Sequence, residues 1–310
     1  MKRRETIMKI VSVGECMIEI SGSGQPDLWR VGFAGDTLNT AWYLAQLVPQ
    51  GWSVGYHTML GQDPHSDSML AFLERSGLDT STITRHPTRV PGLYMIKLHD
   101  GERAFTYWRD CSAARCLADD PAKLAEVIGG ADVVYLSGIT LAILPPSGRE
   151  ALLTQLADSE SHVVFDPNLR PKLWSDPAEM REWISRAGAA ARTVLPSYDD
   201  EAVHFGDADP HATAERYLAL GARDVIVKNG GGVMVHGGPD GVRDLPELPR
   251  QTPVDTTGAG DSFNAGFLAR FLNGSSIDAA VRDAHQVALQ VIASHGALCP
   301  VEGGNGGTVR

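Results

Sequence analysis

Short apolar segments alternate with longer segments of helical periodicity along most of the chain, and this alternation constrains the fold more than any other feature. Short apolar runs are typical of buried strands, whereas apolar residues spaced three and four apart are typical of helices. We predict strands at 9–13, 54–60, 133–136, 163–166, 193–195 and 225–228. We predict helices at 36–47, 63 or 66 to 73, 146–156, 178–187, 199–205 and 211–220. Strands separated by helices of this length predict a mostly parallel α/β sheet covered on both faces.

One segment departs from this pattern. Residues 92–98 and 103–108 alternate between apolar and polar side chains, and Asp100-Gly101 lies between them. Two alternating runs joined by Asp-Gly predict a β-hairpin. We therefore expect a small β subdomain that projects from the main sheet.

Length and charge limit the classes of function. The chain has 310 residues and a net charge of −11, whereas a nucleic-acid-binding face needs a basic stripe. No apolar run is long enough to span a bilayer, and four cysteines without metal-binding spacing fit a reducing cytosol. We expect a cytoplasmic protein with one domain at 8–300, a flexible leader at 1–7 and a flexible Gly-rich tail at 301–310, and we expect it to bind neither nucleic acid nor membranes.

The segment Asp255-Thr-Thr-Gly-Ala-Gly-Asp261 precedes an apolar helical run. The small residues Gly258, Ala259 and Gly260 allow a ligand to approach the backbone, and the helix start directs unpaired N–H groups at an anion. Asp261 would repel a phosphate unless a hydroxyl lies between them, and such a hydroxyl would give its proton to the carboxylate. A glycine-capped turn before a surface helix is the alternative.

A second glycine turn opens a helix at Ala34-Gly35-Asp36. Gly35 gives access to the backbone, while Asp36 and Asn39 offer acceptors and donors that suit sugar hydroxyls. The alternative is that Asp36 or Thr37 is simply the N-cap of the helix.

Two further segments carry arginines. Tyr107 and Arg109 share one face of the predicted hairpin and suit a carboxylate with an apolar flank, or else a cation–π pair on a solvated face. Asn168 and Arg170 follow a buried strand, and ligands of open α/β sheets bind beyond the carboxyl ends of strands. A structural loop is the alternative for this second segment.

Two other segments follow strands or open helices. The glycine-rich segment from Lys228 to Val233 follows a strand but lacks the order of a P-loop, and a tight hairpin explains it equally well. Asp200 and Glu201 lie at a strand-to-helix junction, where acids are favoured regardless of function and can also position Mg²⁺ through water.

Together these segments resemble the ribokinase-like family of carbohydrate kinases over about residues 9–300. The 255–261 segment is similar to the second signature of the family, and 32–39 is similar to the first. Further similarity, to the branch that acts on keto-deoxy sugar acids, lies at 14–19, 91–94, 107–109, 136–144 and 166–174. The resemblance implies a three-layer sandwich with a small β-sheet lid formed by about 15–35 and 90–112.

The resemblance also implies ATP-dependent phosphorylation of the terminal 6-hydroxyl of a sugar acid, with Mg²⁺ bridging the phosphates. It implies that Asp261 is the base and that the amides of residues 258–261 hold the anion. It implies three further sets of residues: acceptor contacts at Gly35, Asp36, Asn39, Tyr94, Tyr107, Arg109 and Arg170; nucleotide contacts at Asn168, Lys228, Gly230, Gly231, Gly232, Val233, Gly258 and Gly260; and an indirect metal role for Asp200 or Glu201. A homodimer or higher homo-oligomer is expected from the family, and a monovalent-cation requirement is left open.

Two segments depart from the family pattern. The first signature usually has Gly-Gly where this chain has Ala34-Gly35, and the Asn-x-x-Glu tied to magnesium becomes Ser197-Tyr-Asp-Asp200. Charge favours an acidic acceptor, because a neutral sugar would leave Arg109 and Arg170 unpaired at a cost on the order of several kcal/mol each. Water or ATP phosphates are alternative partners. Kinases of the galacto epimer of the keto-deoxy acid, of a fructose-type ketose or of a nucleoside are alternative functions. A sugar-acid-binding sensor without catalysis is an alternative from another class.

Overall fold

The computed structural model describes residues 7–23, 25, 27–99 and 102–302, with the backbone alone at 98, 99, 102 and 103. The predicted turn at Asp100-Gly101 lies outside the described residues, as does the predicted leader apart from residue 7 and the predicted tail apart from 301 and 302. The described strands are β1 (Lys9–Val13), β2 (Met17–Gly22), β3 (Trp29–Ala34), β4 (Ser53–His57), β5 (Met59–Leu60), β6 (Thr84–Arg85), β7 (Leu93–His99), β8 (Glu102–Trp108), β9 (Val133–Ser137), β10 (His162–Asp166), β11 (Thr193–Val194), β12 (Asp224–Val227), β13 (Val235–Gly238) and β14 (Gly241–Asp244).

The described helices connect these strands. They are α1 (Asp36–Leu47), α2 (Pro64–Arg75), α3 (Pro121–Gly129), α4 (Gly138–Ile143), α5 (Pro146–Asp158), α6 (Pro177–Ala190), α7 (Tyr198–Phe205), α8 (Pro210–Leu220), α9 (Ala259–Phe271) and α10 (Ile277–Ile292). Short 3₁₀ turns lie at Ala113–Cys116 and Pro171–Leu173. Within the described part of the chain, no helix is both long enough and apolar enough to cross a membrane.

An eight-stranded sheet forms the centre of the molecule, in the order β14-β13-β12-β11-β10-β9-β1-β4. The six strands from β12 to β4 run parallel, and β13 and β14 add an antiparallel edge. Parallel strands end at the same edge of a sheet, so the loops after β1, β10 and β12 open on one side. The predicted mostly parallel α/β sheet is confirmed.

Apolar side chains cover both faces of this sheet, as a parallel sheet requires. Along β9, Val134 and Leu136 belong to the core beneath α3, α5 and α6, whereas Val133 and Tyr135 belong to the core beneath α1, α9 and α10. All four side chains are buried. The alternation puts Tyr135 on the same side of the sheet as α1 and α9, which are the two helices that open from glycine turns.

A second, four-stranded sheet has the order β3-β2-β7-β8 and lies apart from the main sheet. The predicted hairpin corresponds to β7 and β8, which pair antiparallel from Leu93 opposite Trp108 to His99 opposite Glu102. β2 joins this hairpin to β3, through a parallel ladder with β7 and an antiparallel ladder with β3. We call this four-stranded unit the small sheet.

Candidate active site

Helix α9 begins at a glycine that no other residue can replace without strain. Gly258 has φ of 77°, and a Cβ added there would lie 2.6 Å from the main-chain oxygen of Ala297. The next two residues continue the turn, and the Ala259 amide donates to the Thr256 carbonyl at 3.2 Å. The amides of Gly260 and Asp261 lie in the first helical turn, where they have no intrahelical acceptor. The anion hole expected from four amides therefore loses the Ala259 amide, which the turn already uses.

Asp261 is partly buried in this first turn and contacts helix α1. The side-chain amide of Asn39 donates to the Asp261 carboxylate at 2.7 Å, and the Thr40 hydroxyl lies 3.3 Å from the Asp261 carbonyl. Burial raises the pKa of Asp261 to about 7, and the nearby carboxylate of Asp36 adds to the increase. The Asn39 hydrogen bond and the Lys228 charge oppose it. A carboxyl group with this pKa can accept and release a proton near neutral pH.

Helix α1 begins at the second glycine turn. A Cβ at Gly35 would lie 2.2 Å from the Glu15 carbonyl oxygen, so close packing excludes any larger residue. Gly35 is the N-cap, and its amide donates to the side-chain oxygen of Asn39 at 3.4 Å, so neither Asp36 nor Thr37 is the N-cap considered from sequence. Asp36 instead accepts a hydrogen bond of 2.7 Å from the Asn168 side chain.

The loop after β10 joins the two sets of predicted contacts. Asn168 has φ of 35° and donates its amide to the Asp166 carboxylate at 3.0 Å. Its side chain reaches Asp36, so the residue that resemblance assigns to the nucleotide lies beside one assigned to the acceptor. The other Asp166 oxygen accepts from Lys228 at 2.9 Å and from Asn264 at 2.6 Å. The carboxyl ends of β10 and β12 are thus tied to helix α9.

A cavity of about 410 Å³ lies between the glycine-rich loop and helix α9. One part is bordered by Lys228, Ala259, Gly260 and the loop residues Gly230, Gly231, Gly232 and Val233. Another part is apolar and is bordered by Phe263, Ala288, Leu289 and Ile292. A cavity with an apolar region and an amide-rich region suits a ligand that combines a flat apolar group with an anionic chain.

A larger cavity of about 730 Å³ lies between the small sheet and the loop at 295–298. Its lining includes Glu19, Ala34, Ile96 and Thr257, so it adjoins both glycine turns. Tyr94 donates a hydrogen bond to Glu19 across the small sheet, and its ring centroid lies 5.7 Å from that of Tyr107. Tyr94 is buried, whereas Tyr107 is 51% exposed.

The two predicted arginines already have carboxylate partners in the chain. Arg109 is buried and pairs with the buried Glu15, and its guanidinium carbon lies 5.9 Å from the centre of the Tyr107 ring. Arg170 is half exposed, and its Nη1 lies 3.7 Å from an Asp200 oxygen. The expectation that two unpaired arginines select an acidic acceptor is therefore wrong in its premise, because Glu15 and Asp200 supply the counter-charges.

The predicted metal role of Glu201 also needs correction. Glu201 is fully buried between α7 and α8, where it accepts hydrogen bonds from Arg216 at 2.6 Å and from the Tyr217 hydroxyl at 3.0 Å. Burial raises the pKa of Glu201 to about 7, which is unfavourable for a cation ligand. Across the part of the chain that the structure describes, no three acidic, His or Cys side chains are grouped as metal ligands.

Several residues of the site were not predicted. The family similarity at 14–19 assigns no role to Glu15 or Glu19, because a single carboxylate in or beside a strand carries no motif of its own. Asn264 lies three residues after Asp261, which is helical spacing, and its amide also contacts the Tyr135 hydroxyl at 3.1 Å. That spacing is the one local signal that could have indicated Asn264.

Comparison with known proteins identifies the family. A sequence model of the pfkB family of carbohydrate kinases matches residues 8–302, and the chain belongs to this family. The family and fold predicted from sequence are confirmed. The chain is 39% identical to the 2-dehydro-3-deoxygluconokinase of Dickeya dadantii, over 96% of this chain and 98% of that protein.

Solved structures share the fold, as two examples illustrate. The 2-dehydro-3-deoxygluconokinase of Thermotoga maritima matches with a TM-score of 0.80 at 21% identity, over 95% of this chain and 96% of that one. A structure from Escherichia coli, in complex with ATP and Mg²⁺, matches with a TM-score of 0.80 at 21% identity, over 94% of each chain. At these identities the likeness concerns the fold alone.

Proposed function

We propose that this protein is a 2-dehydro-3-deoxygluconokinase, which transfers the terminal phosphoryl group of ATP to the 6-hydroxyl of 2-keto-3-deoxygluconate. The proposal is supported by the 39% identity to a protein of that name over nearly the whole of both chains. The single observation that carries the chemistry is Asp261, a carboxyl with a pKa of about 7 in the first turn of a helix whose amides face the same point.

Asp261 acts as the general base in this proposal. The carboxylate accepts the proton of the 6-hydroxyl as the oxygen forms its bond to phosphorus, and the bond between that phosphorus and the departing ADP breaks. The Gly260 and Asp261 amides hold the phosphoryl oxygens, because they are fixed donors at the positive end of a helix. Asn39 holds the carboxylate in position at 2.7 Å.

In this proposal the acceptor lies where the large cavity adjoins the two glycine turns. Gly35, Asp36 and Asn39 contact its hydroxyls from the start of α1, and Tyr94 and Tyr107 contact it from the small sheet. Arg109 binds the acceptor carboxylate with donors that Glu15 does not use, since its Nε has no partner among the described residues. Arg170 contributes a second, half-exposed positive charge.

The nucleotide is assigned to the smaller cavity of about 410 Å³. The adenine region fits the apolar side chains of α9 and α10, and the phosphates fit the amides of residues 230–233 and of the α9 start. Asn168 is not among the described residues that border this cavity; its amide binds Asp166, which in turn binds Lys228 at the cavity edge. Bound Mg²⁺ would neutralise phosphate charge, and because Mg²⁺ keeps several waters, Asp200 suffices as an indirect contact from the protein.

A fructose-type ketose is the second candidate acceptor. The observation that favours it is the buried Glu15–Arg109 pair, which leaves the small-sheet side of the site close to neutral. A neutral sugar would then need no additional positive charge.

Acceptor specificity tests both candidates. Release of ADP from ATP is measured with 2-keto-3-deoxygluconate, 2-keto-3-deoxygalactonate, fructose, ribose and adenosine. We expect the highest kcat/KM with 2-keto-3-deoxygluconate. Turnover of fructose alone would establish the second candidate, and binding of the acid without turnover would refute catalysis and identify a sensor.

A further inference from the structure

Lys228 lies at the junction of β12 and the glycine-rich loop, and its side chain contacts residues of β10 and α9. Its ammonium group lies 2.9 Å from Asp166 and 3.2 Å from the side-chain oxygen of Asn264, and the side chain is only 11% exposed. An ammonium group has three N–H donors, so two are used and the third remains. Within the described residues, Asp166 and Asn264 are its hydrogen-bond partners.

The Lys228 ammonium also lies beside the start of α9. Apart from the backbone of α9 itself, it is the one atom of the described residues within 4 Å of a Cβ built at Gly260, at a distance of 3.8 Å. Lys228, Ala259 and Gly260 border the same cavity. The remaining donor thus lies beside the first turn of α9, at the cavity that we assign to the nucleotide.

Several carboxylates lie around Asp261, so a cation beside them reduces the net negative charge of the site. Asp36 and Asp166 are the carboxylates whose charges raise the pKa of Asp261, and Lys228 is the cation whose charge lowers it. A phosphoryl group in transit adds further negative charge to this cluster. Glu201 cannot help to position a compensating metal, because Arg216 and Tyr217 enclose it.

We propose that Lys228 is a catalytic residue of this kinase, which donates its third N–H to the phosphoryl group as that group moves from the nucleotide to the acceptor. This inference rests on the proposed function and assigns to Lys228 more than a contact with bound nucleotide. Lys228 keeps its proton throughout, while the acceptor proton goes to Asp261 and the electron pair of the broken bond goes to ADP. Asp166 and Asn264 hold the ammonium in place.

Substitution Lys228→Met tests this role. We expect kcat to fall about 100- to 1,000-fold, because a fixed donor to the transferring group is lost. Affinity for ADP, measured by calorimetry, is expected to change by less than about fivefold, because the donor acts mainly in the transition state. Affinity for ADP with fluoroaluminate, a mimic of the transferring phosphoryl group, is expected to fall in parallel with kcat. Equal losses of ADP and ADP–fluoroaluminate affinity would overturn the proposal and leave a ground-state contact.

A double variant separates catalysis from charge balance. Lys228→Met leaves Asp166 buried without its cation, whereas Lys228→Met with Asp166→Asn restores neutrality. We expect the double variant to fold like the wild type, as judged by thermal unfolding, and to remain slow. A double variant with near-normal kcat and fluoroaluminate affinity would overturn the proposal.

Two further variants complete the design. Lys228→Arg keeps a cation and is expected to recover part of the lost rate. Lys123→Met removes a partly exposed lysine of α3 that pairs with Glu126 and is expected to match the wild type. If the wild-type protein phosphorylates none of the acceptors, the proposed function fails, whereas the fluoroaluminate measurement still decides the role of Lys228.

Discussion

The side-chain amide of Asn39 and the carboxylate of Asp261 are joined by a hydrogen bond of 2.7 Å, although the residues lie 222 positions apart in the chain. Each residue lies in the first turns of a helix that opens from a glycine turn, α1 for Asn39 and α9 for Asp261. The bond therefore fixes two helix starts to each other. It also holds the carboxylate that we propose as the base against the element that we propose for acceptor binding.

Asp261→Asn is expected to reduce kcat by roughly two to four powers of ten, because the amide cannot accept the hydroxyl proton. The KM of the acceptor should change little, since the shape of the side chain is kept. Steady-state rates measured at saturating ATP check this outcome. Turnover within about tenfold of the wild type would remove Asp261 as the base.

The same substitution is expected to stabilise the fold at high pH. The pKa of Asp261 is about 7 in the folded protein against an ordinary value of 3.8, so between these values the unfolded chain loses a proton that the folded chain keeps. The free energy of unfolding consequently falls as pH rises through this window. Asp261→Asn has no such loss, so its free energy of unfolding is expected to exceed that of the wild type by about 1–3 kcal/mol at pH 8 and by almost nothing at pH 4. Urea unfolding at both pH values measures the difference, and equal effects would contradict the raised pKa.

Asn39→Ala is expected to shift the pH dependence of the reaction. The base must be deprotonated to act, so kcat/KM should rise with pH through the pKa of Asp261. Loss of the Asn39 hydrogen bond raises that pKa, which moves the rise to higher pH by about one unit. Gln46→Ala, which removes an amide on the same helix that donates to the Trp42 carbonyl, is the control. If the two variants have the same pH profile, the Asn39 hydrogen bond does not influence the pKa of Asp261.

Gly258→Ala is expected to cost more than the same change at another glycine with positive φ. Gly258 has φ of 77° and would place a Cβ 2.6 Å from the Ala297 oxygen, whereas Gly274 has φ of 84° and open space around it. We expect losses of about 2–4 kcal/mol for Gly258→Ala and about 1 kcal/mol for Gly274→Ala. Only Gly258→Ala should also lose activity. If the two variants are equally stable and equally active, the close approach of the Ala297 oxygen to residue 258 is unimportant.

Glu201→Gln is expected to weaken the fold without changing the metal requirement. Its carboxylate satisfies Arg216 and Tyr217 in a fully buried position, so the expected loss is about 1–3 kcal/mol of unfolding free energy. The Mg²⁺ concentration at half-maximal rate should equal that of the wild type, as it should for the neighbouring control Tyr217→Phe. A large increase for Glu201→Gln alone would restore a metal role.

Local signals made the main elements predictable. β1 and α1 have the bounds expected from sequence, 9–13 and 36–47, because glycines and a proline delimit clear apolar patterns. Helix α10 was not assigned, although its buried residues Ala280, Ala284, Val287 and Val291 follow helical spacing.

The partnerships within the site could not be predicted in the same way. The Lys228–Asp166 and Glu15–Arg109 pairs depend on which strands are neighbours and on how the small sheet meets the main one. A single sequence specifies neither. These two buried pairs were therefore not predicted, and the Glu15–Arg109 pair removes one charge argument for an acidic acceptor.

The oxygen of Ala297 that excludes a side chain at Gly258 also accepts a hydrogen bond of 2.8 Å from the Tyr43 hydroxyl of α1. Three separate stretches of the main body thus meet behind the two helix starts, and Ala297 also packs with Met17, Ala34 and Tyr94 of the small sheet. Mutations in the four-stranded unit that spare these three residues can accordingly alter which alcohol is chosen while the proposed base keeps its alignment. New acceptor preferences can evolve in such a molecule one surface at a time.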